Sequence, residues 1–174
     1  VHLAQWEAQR GIDPSGSLDR ALPDLEEALR LDPTASDARA GLGNLWLRRG
    51  ERELASRIDA RASLDKAIDA HEENARRYPL NPRFLSNLAG VRMVRGGAEA
   101  AAGGNPLPWY EKATASFDDL LKAWPGMREA RFNRATTMER IGDWRHQRGL
   151  DATESYQRAI ADYDELLRAA QEDI

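Results

Sequence analysis

Apolar residues recur at helical spacing near the end of the chain. The series consists of Tyr156, Ala159, Ile160, Tyr163, Leu166 and Leu167. Steps of three and four residues place these side chains on one face of an α-helix. Within the series, the small residue Ala159 precedes the aromatic residue Tyr163 by four positions. The pattern predicts a helix whose apolar face packs closely against another helix.

The same pair of a small and a large residue recurs along the chain in steps of 46. The earlier pairs are Ala113 with Phe117, Ala67 with His71, and Ala21 with Leu25. Two other ladders have the same period, namely Pro33, Pro79 and Pro125, and Asp13, Asp59, Asn105 and Asp151. Independent ladders with one period indicate an internal repeat. We expect the alanine of each pair to be buried, because a small residue lets two helices approach closely.

Residue types within each unit follow the order of a known helical repeat, W-x2-L-G-x2-Y, then A-x3-F, then Pro, with a period of about 34 residues. The second unit has Arg39, Leu42, Gly43, Trp46, Ala67, His71 and Pro79 at these positions. The third unit has Leu85, Leu88, Ala89, Arg92, Ala113, Phe117 and Pro125, and the fourth has Arg131, Arg134, Ala135, Met138, Ala159 and Tyr163. The chain therefore resembles the tetratricopeptide repeat family over nearly its whole length.

One departure from the family pattern concerns the glycine between the two helices of a hairpin. Gly50, Gly96 and Gly142 lie 17 residues before the alanine of their unit, instead of about five. Each unit thus looks like a tetratricopeptide hairpin with about 12 additional residues. The resemblance implies an all-α fold, a right-handed α-solenoid of stacked antiparallel hairpins with long helices and about 3.5 to 4 units.

The ladders also predict the domain organisation and the ends of the helices. We expect one domain over 1–174, with units of approximately 1–33, 34–79, 80–125 and 126–174. Asp, Asn and a following Pro are favourable at helix starts, so the second helix of each hairpin begins after the Asp/Asn ladder. The first helices are predicted from about Ser36 to Ile58, Pro82 to Ala102, and Met127 to Arg148. The glycines inside them are predicted to be bends or close-packing points.

The first unit is incomplete when it is aligned with the others. Val1 aligns with Leu47, Met93 and Glu139, which lie late in their first helices. We therefore expect the chain to be a fragment of a longer protein.

Composition narrows the class of protein. Charged residues make up 31% of the chain, hydrophobic residues 41%, the net charge is −4, and Cys is absent. Without Cys there is no disulfide or thiol chemistry. No stretch predicts a signal peptide or a membrane-inserted segment, and a cytoplasmic location is expected. The slightly acidic chain also argues against nucleic acid as a partner, because phosphate binding requires a basic field.

No motif predicts catalysis. His2, His71 and His146 have no metal-ligand spacing, and no phosphate-binding or nucleophile motif occurs. We therefore predict no enzyme, no cofactor and no metal site. His71 occupies the aromatic slot of A-x3-F, where a packed structural histidine is expected. Trp46, Trp109 and Trp124 are interpreted as packing residues, whereas Trp6 and Trp144 either seal the lengthened hairpin or form an exposed contact.

The resemblance implies that this chain is a protein–protein interaction scaffold. In this family the first helices line a concave surface that holds peptides or partner domains. The candidate residues there are Asn44, Arg48, Arg83, Asn87, Asn133 and Arg140. Arg and Asn offer several hydrogen-bond donors to carboxylates and peptide backbones, so an acidic segment is one candidate partner. Solvated surface residues are the alternative explanation of the same six.

A second function is implied by another resemblance. The turn Gly11-Ile12-Asp13-Pro14 with the lengthened repeat is similar to helical arrays attached to some bacterial serine/threonine protein kinases. The chain would then be a regulatory or sensory region in a signalling kinase. The identity of the partner and the oligomeric state have no signal in the sequence.

Overall fold

Seven α-helices make up the described part of the chain. The structure, a computed structural model, describes residues 15–171. The helices are α1 Ser15–Leu31, α2 Ser36–Ala55, α3 Arg61–Arg77, α4 Pro82–Ala101, α5 Leu107–Ala123, α6 Arg128–His146 and α7 Thr153–Gln171. Residues between these helices form turns, and 15–171 contain no β-strand. The predicted all-α class is confirmed.

The helices pack in a repeating order. Each one contacts its neighbours in the chain, and α2 also contacts α4, as α4 does α6. The first helices α2, α4 and α6 therefore lie side by side, and this surface is called the α2–α4–α6 face below. The helices α1, α3, α5 and α7 form a second layer. Two layers of antiparallel hairpins are the arrangement of a helical-repeat solenoid.

The three first helices begin and end within three residues of the predicted positions. All three end in the same backbone motif, in which one residue has a left-handed conformation. That residue is Arg57 after α2, with φ 58°, Gly103 after α4, with φ 78°, and Gly149 after α6, with φ 68°. The next amide closes each motif, for example from Ile58 to the carbonyl of Glu53 at 2.7 Å. This ladder was not predicted from the sequence, because Arg57 stands where the later units have a glycine.

Asp and Asn side chains begin the second helices, as predicted. Carboxylate or amide oxygens of Asp59, Asn105 and Asp151 accept the backbone N–H two residues later, at 3.1, 3.1 and 2.9 Å. Ala60 and Pro106, which follow the first two, already have helical dihedral angles. The side chain and backbone N–H of Arg61 lower the pKa of Asp59 to about 2. Asp13 and Pro14 lie outside the described residues.

Glycines inside the first helices are close-packing points. A Cβ added at Gly50 would lie 2.7 Å from the Leu64 side chain, one at Gly96 2.5 Å from the Tyr110 ring, and one at Gly142 2.6 Å from the Tyr156 ring. The three large residues stand 14 positions after their glycines. Each glycine therefore lets the two helices of a hairpin approach each other where a larger side chain crosses.

The predicted alanines form the centre of the core, with one exception. Ala67, Ala113 and Ala159 are buried. Ala21 is only partly buried. It lies on α1, and the only helix of the described chain that contacts α1 is α2. Trp46, Trp109 and Trp124 are partly buried against the core clusters, as the packing interpretation predicts.

Candidate functional site

A groove crosses the middle of the α2–α4–α6 face. It has a volume of about 390 Å³ and is lined by residues of all three helices. Leu47, Met93 and Val94 provide apolar surface within it. Gly90 of α4 also lines the groove, and a Cβ added there would meet no atom within 4 Å. The backbone of α4 is therefore open to close approach from the groove.

Three asparagines line this groove, one from each helix. They are Asn44 of α2, Asn87 of α4 and Asn133 of α6, and all three are partly buried. Asn87 and Asn133 are one repeat apart. Among residues 15–171, none of the three side-chain amides has a hydrogen-bond partner. Each amide can donate two hydrogen bonds and accept two. The groove thus presents unpaired polar groups above an apolar floor.

Arg48 is the only one of the three predicted arginines that lines the groove. Its guanidinium forms an ion pair with Glu51, with 2.8 Å between Nη1 and Oε2. Glu51 and Glu129 line the groove too. One arginine and two glutamates leave the groove without an excess of positive charge.

Arg83 and Arg140 lie elsewhere on the first helices. Arg83 pairs with Asp37 at 2.6 Å. Those two residues are one repeat apart. Their opposite charges at equivalent positions could therefore have predicted the ion pair from the sequence. Arg140 approaches Gly97, where an added Cβ would lie 3.5 Å from its Nη1. Burial raises the pKa of Tyr110, and the charge and hydrogen bond of Arg140 oppose that rise.

Several groove residues were not among the sequence-predicted set. They are Glu51, Ser86, Gly90, Val94 and Glu129. Two of them could have been predicted from the repeat. Gly90 is one repeat after Asn44, and Val94 is one repeat after Arg48, so each occupies a position equivalent to that of a predicted residue.

The sequence also suggests Leu47, Met93 and Phe132 as apolar anchors for a partner. Leu47 and Met93 line the groove, whereas Phe132 does not. Phe132 is exposed and lies edge-on to Tyr163, with ring centroids 6.1 Å apart.

The described residues provide no candidate metal site. No group of three or more His, Asp or Glu side chains between 15 and 171 has the geometry of a metal site. His71 is fully buried in the aromatic slot, and neither ring nitrogen has a hydrogen-bond partner. Burial lowers the pKa of His71 to about 4. It is the packed histidine that the sequence predicts. None of the helices in the described part is long and apolar enough to cross a membrane.

Two comparisons with known proteins found similarities. The sequence model of the tetratricopeptide repeat matches residues 15–55, which contain α1 and α2. No curated protein matches the chain. Among solved structures, the chain is similar to "MamA MSR-1 C2", with a TM-score of 0.53 and 18% identity, over 94% of this chain and 75% of that one. MamA is a tetratricopeptide-repeat protein.

Residues 15–171 thus share the helical-repeat fold of a tetratricopeptide-repeat protein. The helices pack as the hairpins α2 with α3, α4 with α5, and α6 with α7, and the helix α1 precedes them. The lengthening is visible in the helices, since α2 and α4 each have 20 residues.

Proposed function

We propose that the groove of the α2–α4–α6 face binds an extended segment of a partner protein. The observation that carries this proposal is the row of unpaired amides of Asn44, Asn87 and Asn133, one on each helix of the face. An extended segment has a peptide N–H and C=O at every residue, and asparagine amides can both donate to and accept from such groups. A segment crossing α2, α4 and α6 would meet the three amides in turn.

The floor of the groove favours a peptide over a folded domain. Gly90 leaves the backbone of α4 uncovered, and glycine is the residue that allows another backbone to approach closely. Leu47, Met93 and Val94 lie beside it and would take apolar side chains of the segment. Methionine adapts to irregular surfaces, so the floor tolerates several apolar partners.

Charge contributes less to this site than the sequence indicated. Arg48 and Arg83 are each engaged by a carboxylate of the chain itself. An acidic partner would have to displace Glu51 or Asp37, and exposed ion pairs contribute only about 0 to 1 kcal/mol each. We infer a segment that is recognised by backbone hydrogen bonds and apolar side chains, with Arg48 adding a salt-dependent part.

The test is selection from a library of random 12-residue peptides displayed on phage, followed by calorimetry of the selected peptides. We expect dissociation constants in the micromolar range. Replacement of Gly90 by Phe places a ring in the groove, and a Cβ at this position would meet no atom of residues 15–171 within 4 Å. The helix should therefore form, and binding should fall at least tenfold because the ring occupies the groove. Circular dichroism checks that helicity is unchanged.

Ala161→Phe is the matched control. Ala161 is an exposed residue of α7, away from the groove, and this variant should bind the selected peptide as the wild type does. The double variant Arg48→Glu with Arg83→Glu, measured at low and high salt, separates the electrostatic part of the affinity. Undiminished peptide binding by Gly90→Phe would rule out the groove as the site.

A regulatory or sensory region of a bacterial serine/threonine kinase is still a prediction from sequence resemblance. The same is true of a cytoplasmic location. Neither follows from the repeats or from the likeness to MamA, which bears on the fold alone.

A further inference from the structure

A cavity of about 230 Å³ lies between α5 and α7, over α6. Met138 and Ile141 of α6 are buried and form an apolar part of its lining. Arg145 at the end of α6 and Ser155 at the start of α7 lie at one side. This α5–α7 pocket is separate from the groove of the α2–α4–α6 face, so an inference from it does not rest on the proposed function.

The preceding hairpin shows why this space is open. One repeat earlier, Ile141 corresponds to Arg95 and Ser155 corresponds to Trp109. There the buried guanidinium of Arg95 lies 4.8 Å from the Trp109 ring centroid. Isoleucine and serine replace this stacked pair with two much smaller side chains. The α5–α7 pocket is thus the space that a large cation and an indole ring fill in the repeat before it.

Polar groups around that space have also changed. Arg95 is held by Asp65 and Glu99, at 2.7 Å each. One repeat later, Glu111 stands at the position of Asp65, and Arg145 at the position of Glu99. The carboxylate on α5 is retained without the arginine that would neutralise it, and the second carboxylate has become a guanidinium. One acidic and one basic group therefore line the same pocket.

Neither group forms an ion pair within residues 15–171, although Arg145 is near enough to Asp151 to lower the pKa of that carboxyl. The guanidinium of Arg145 is partly buried, and its only hydrogen bond in the described chain is a long one, 3.3 Å from Nη1 to Ser155 Oγ. Glu111 is exposed and forms no ion pair within residues 15–171. By contrast, the other arginine of the lining, Arg158, is already bound to both oxygens of Asp118, at 3.2 and 3.1 Å.

The charges argue against a phosphate ligand. Only Arg145 is free to bind an anion, and Glu111, Asp118 and Glu154 surround the same space. A ligand with one negative and one positive group fits this set, because each would meet an opposite charge. The volume is below the range of about 300 to 1,000 Å³ typical of drug-sized ligands. A ligand the size of a single amino acid matches it.

We propose that the α5–α7 pocket binds an aliphatic α-amino acid. Its carboxylate would accept hydrogen bonds from the Arg145 guanidinium and the Ser155 hydroxyl. Its ammonium would lie beside Glu111, and its side chain would cover Met138 and Ile141. Burial of the aliphatic side chain and two charge-assisted contacts supply the recognition.

Calorimetry with free L-leucine is the first test, with valine, isoleucine and methionine as further probes. We expect saturable binding of at least one of them. Three analogues then isolate the groups of the ligand: leucinamide lacks the carboxylate, 4-methylpentanoate lacks the ammonium, and N-acetyl-leucine represents the carboxyl end of a peptide. Each should bind at least tenfold more weakly than the amino acid. Absence of saturation by all four amino acids, or equal binding of leucinamide or N-acetyl-leucine, overturns the proposal.

Variants connect the binding to the pocket. Arg145→Met should abolish leucine binding, and Ser155→Trp should do so by filling the space as Trp109 does. Glu111→Gln should weaken leucine at least tenfold and leave 4-methylpentanoate unchanged. Arg168→Met makes the same chemical change as Arg145→Met at an exposed position of α7 and should bind leucine normally. Wild-type affinity in a folded Arg145→Met variant would contradict the assignment, whether or not Ser155→Trp folds.

Discussion

Hairpin α2–α3 buries polar side chains where hairpin α4–α5, one repeat later, buries apolar ones. His71, Asn74 and Arg39 of the first correspond to Phe117, Leu120 and Leu85 of the second. Both rings, His71 and Phe117, are fully buried, and so are Asn74 and Leu120. At these two positions the repeats share burial and approximate size and differ in the polarity of the side chain.

The polar core is only partly satisfied. The amide of Asn74 donates to the Ser36 carbonyl at 2.9 Å and accepts from Arg39 Nη1 at 3.3 Å, and Arg39 also donates to the Pro33 carbonyl. His71 has no partner at either ring nitrogen. Unpaired buried polar groups cost stability, whereas the side chains of Phe117 and Leu120 have no polar atom to satisfy. We therefore expect the two hairpins to respond differently to the same substitution.

Replacement of the buried ring by alanine should give the largest difference in stability between the two hairpins. Phe117→Ala removes a large buried ring and should lower the free energy of unfolding by about 3 to 5 kcal/mol. His71→Ala should cost clearly less, because it also removes two unpaired nitrogen atoms. Urea unfolding followed by circular dichroism measures both changes. Equal losses would mean that the polarity of the His71 site has no energetic consequence.

Acid should weaken the hairpin that contains His71. Its pKa is about 4 in the folded chain and near 6.5 when unfolded, because burial disfavours the charged ring. The unfolded chain thus binds more protons between these values, and stability must fall as the pH falls below 6.5. Linkage gives a loss of about 2 kcal/mol between pH 7.5 and pH 5 from this residue. Above about pH 8 the residue contributes almost no pH dependence, because it is then neutral in both states.

His71→Phe is the comparison for this effect, since it copies the residue at Phe117. Unfolding of both proteins across pH 5 to 7.5 isolates the histidine, because carboxylates contribute equally to the two curves. The wild type should lose about 2 kcal/mol more than the variant over this range. Parallel curves would show that the folded chain protonates His71 as readily as the unfolded chain does.

A smaller effect is expected where the first helix crosses the ring. Gly43 faces His71, and an added Cβ would lie 2.7 Å from the imidazole, whereas the equivalent Ala89 is accommodated beside Phe117. Gly43→Ala should therefore destabilise the chain, because overpacking costs about 1 to 3 kcal/mol. The gain in helix propensity, about 1 kcal/mol, offsets only part of that.

Gly90→Ala is the matched control, since a Cβ there meets no neighbouring atom. That variant should be more stable than the wild type by up to about 1 kcal/mol, through helix propensity alone. Thermal unfolding of the two variants should move in opposite directions. If Gly43→Ala is instead more stable than the wild type, the ring of His71 must be able to move away from the added methyl group.

Much of the fold could be predicted because its signals are local. The Asp/Asn ladder and the proline ladder report helix starts and turns directly, and the 46-residue period then assigns every helix to a layer. The turn at Arg57 gave no signal, since its left-handed backbone occurs at a residue type that rarely adopts it. Only the equivalent glycines, Gly103 and Gly149, indicate the motif.

The candidate groove was predictable only in part. Asn87 and Asn133 occupy equivalent positions, so the repeat itself brings them to one surface. The surroundings of Arg83 and Arg140 depend on side chains from other helices, Asp37 for the first and Tyr110 for the second. The α5–α7 pocket had no signal in any single segment. It forms because Ile141 and Ser155 are smaller than Arg95 and Trp109, their counterparts one repeat earlier. These two residues come together only after α6 and α7 have packed.

Within residues 15–171, contacts connect only helices that are neighbours in the chain or one helix further along. Short sequence separation between contacting residues favours rapid folding, because little chain entropy is lost before each contact forms. Stability is then approximately a sum over hairpins and the interfaces between them. A substitution in one hairpin alters its own opening and that of its neighbours, while distant hairpins keep their amide-exchange protection. Sites in different hairpins can thus change in evolution almost independently, as the contrasting cores of α2–α3 and α4–α5 illustrate.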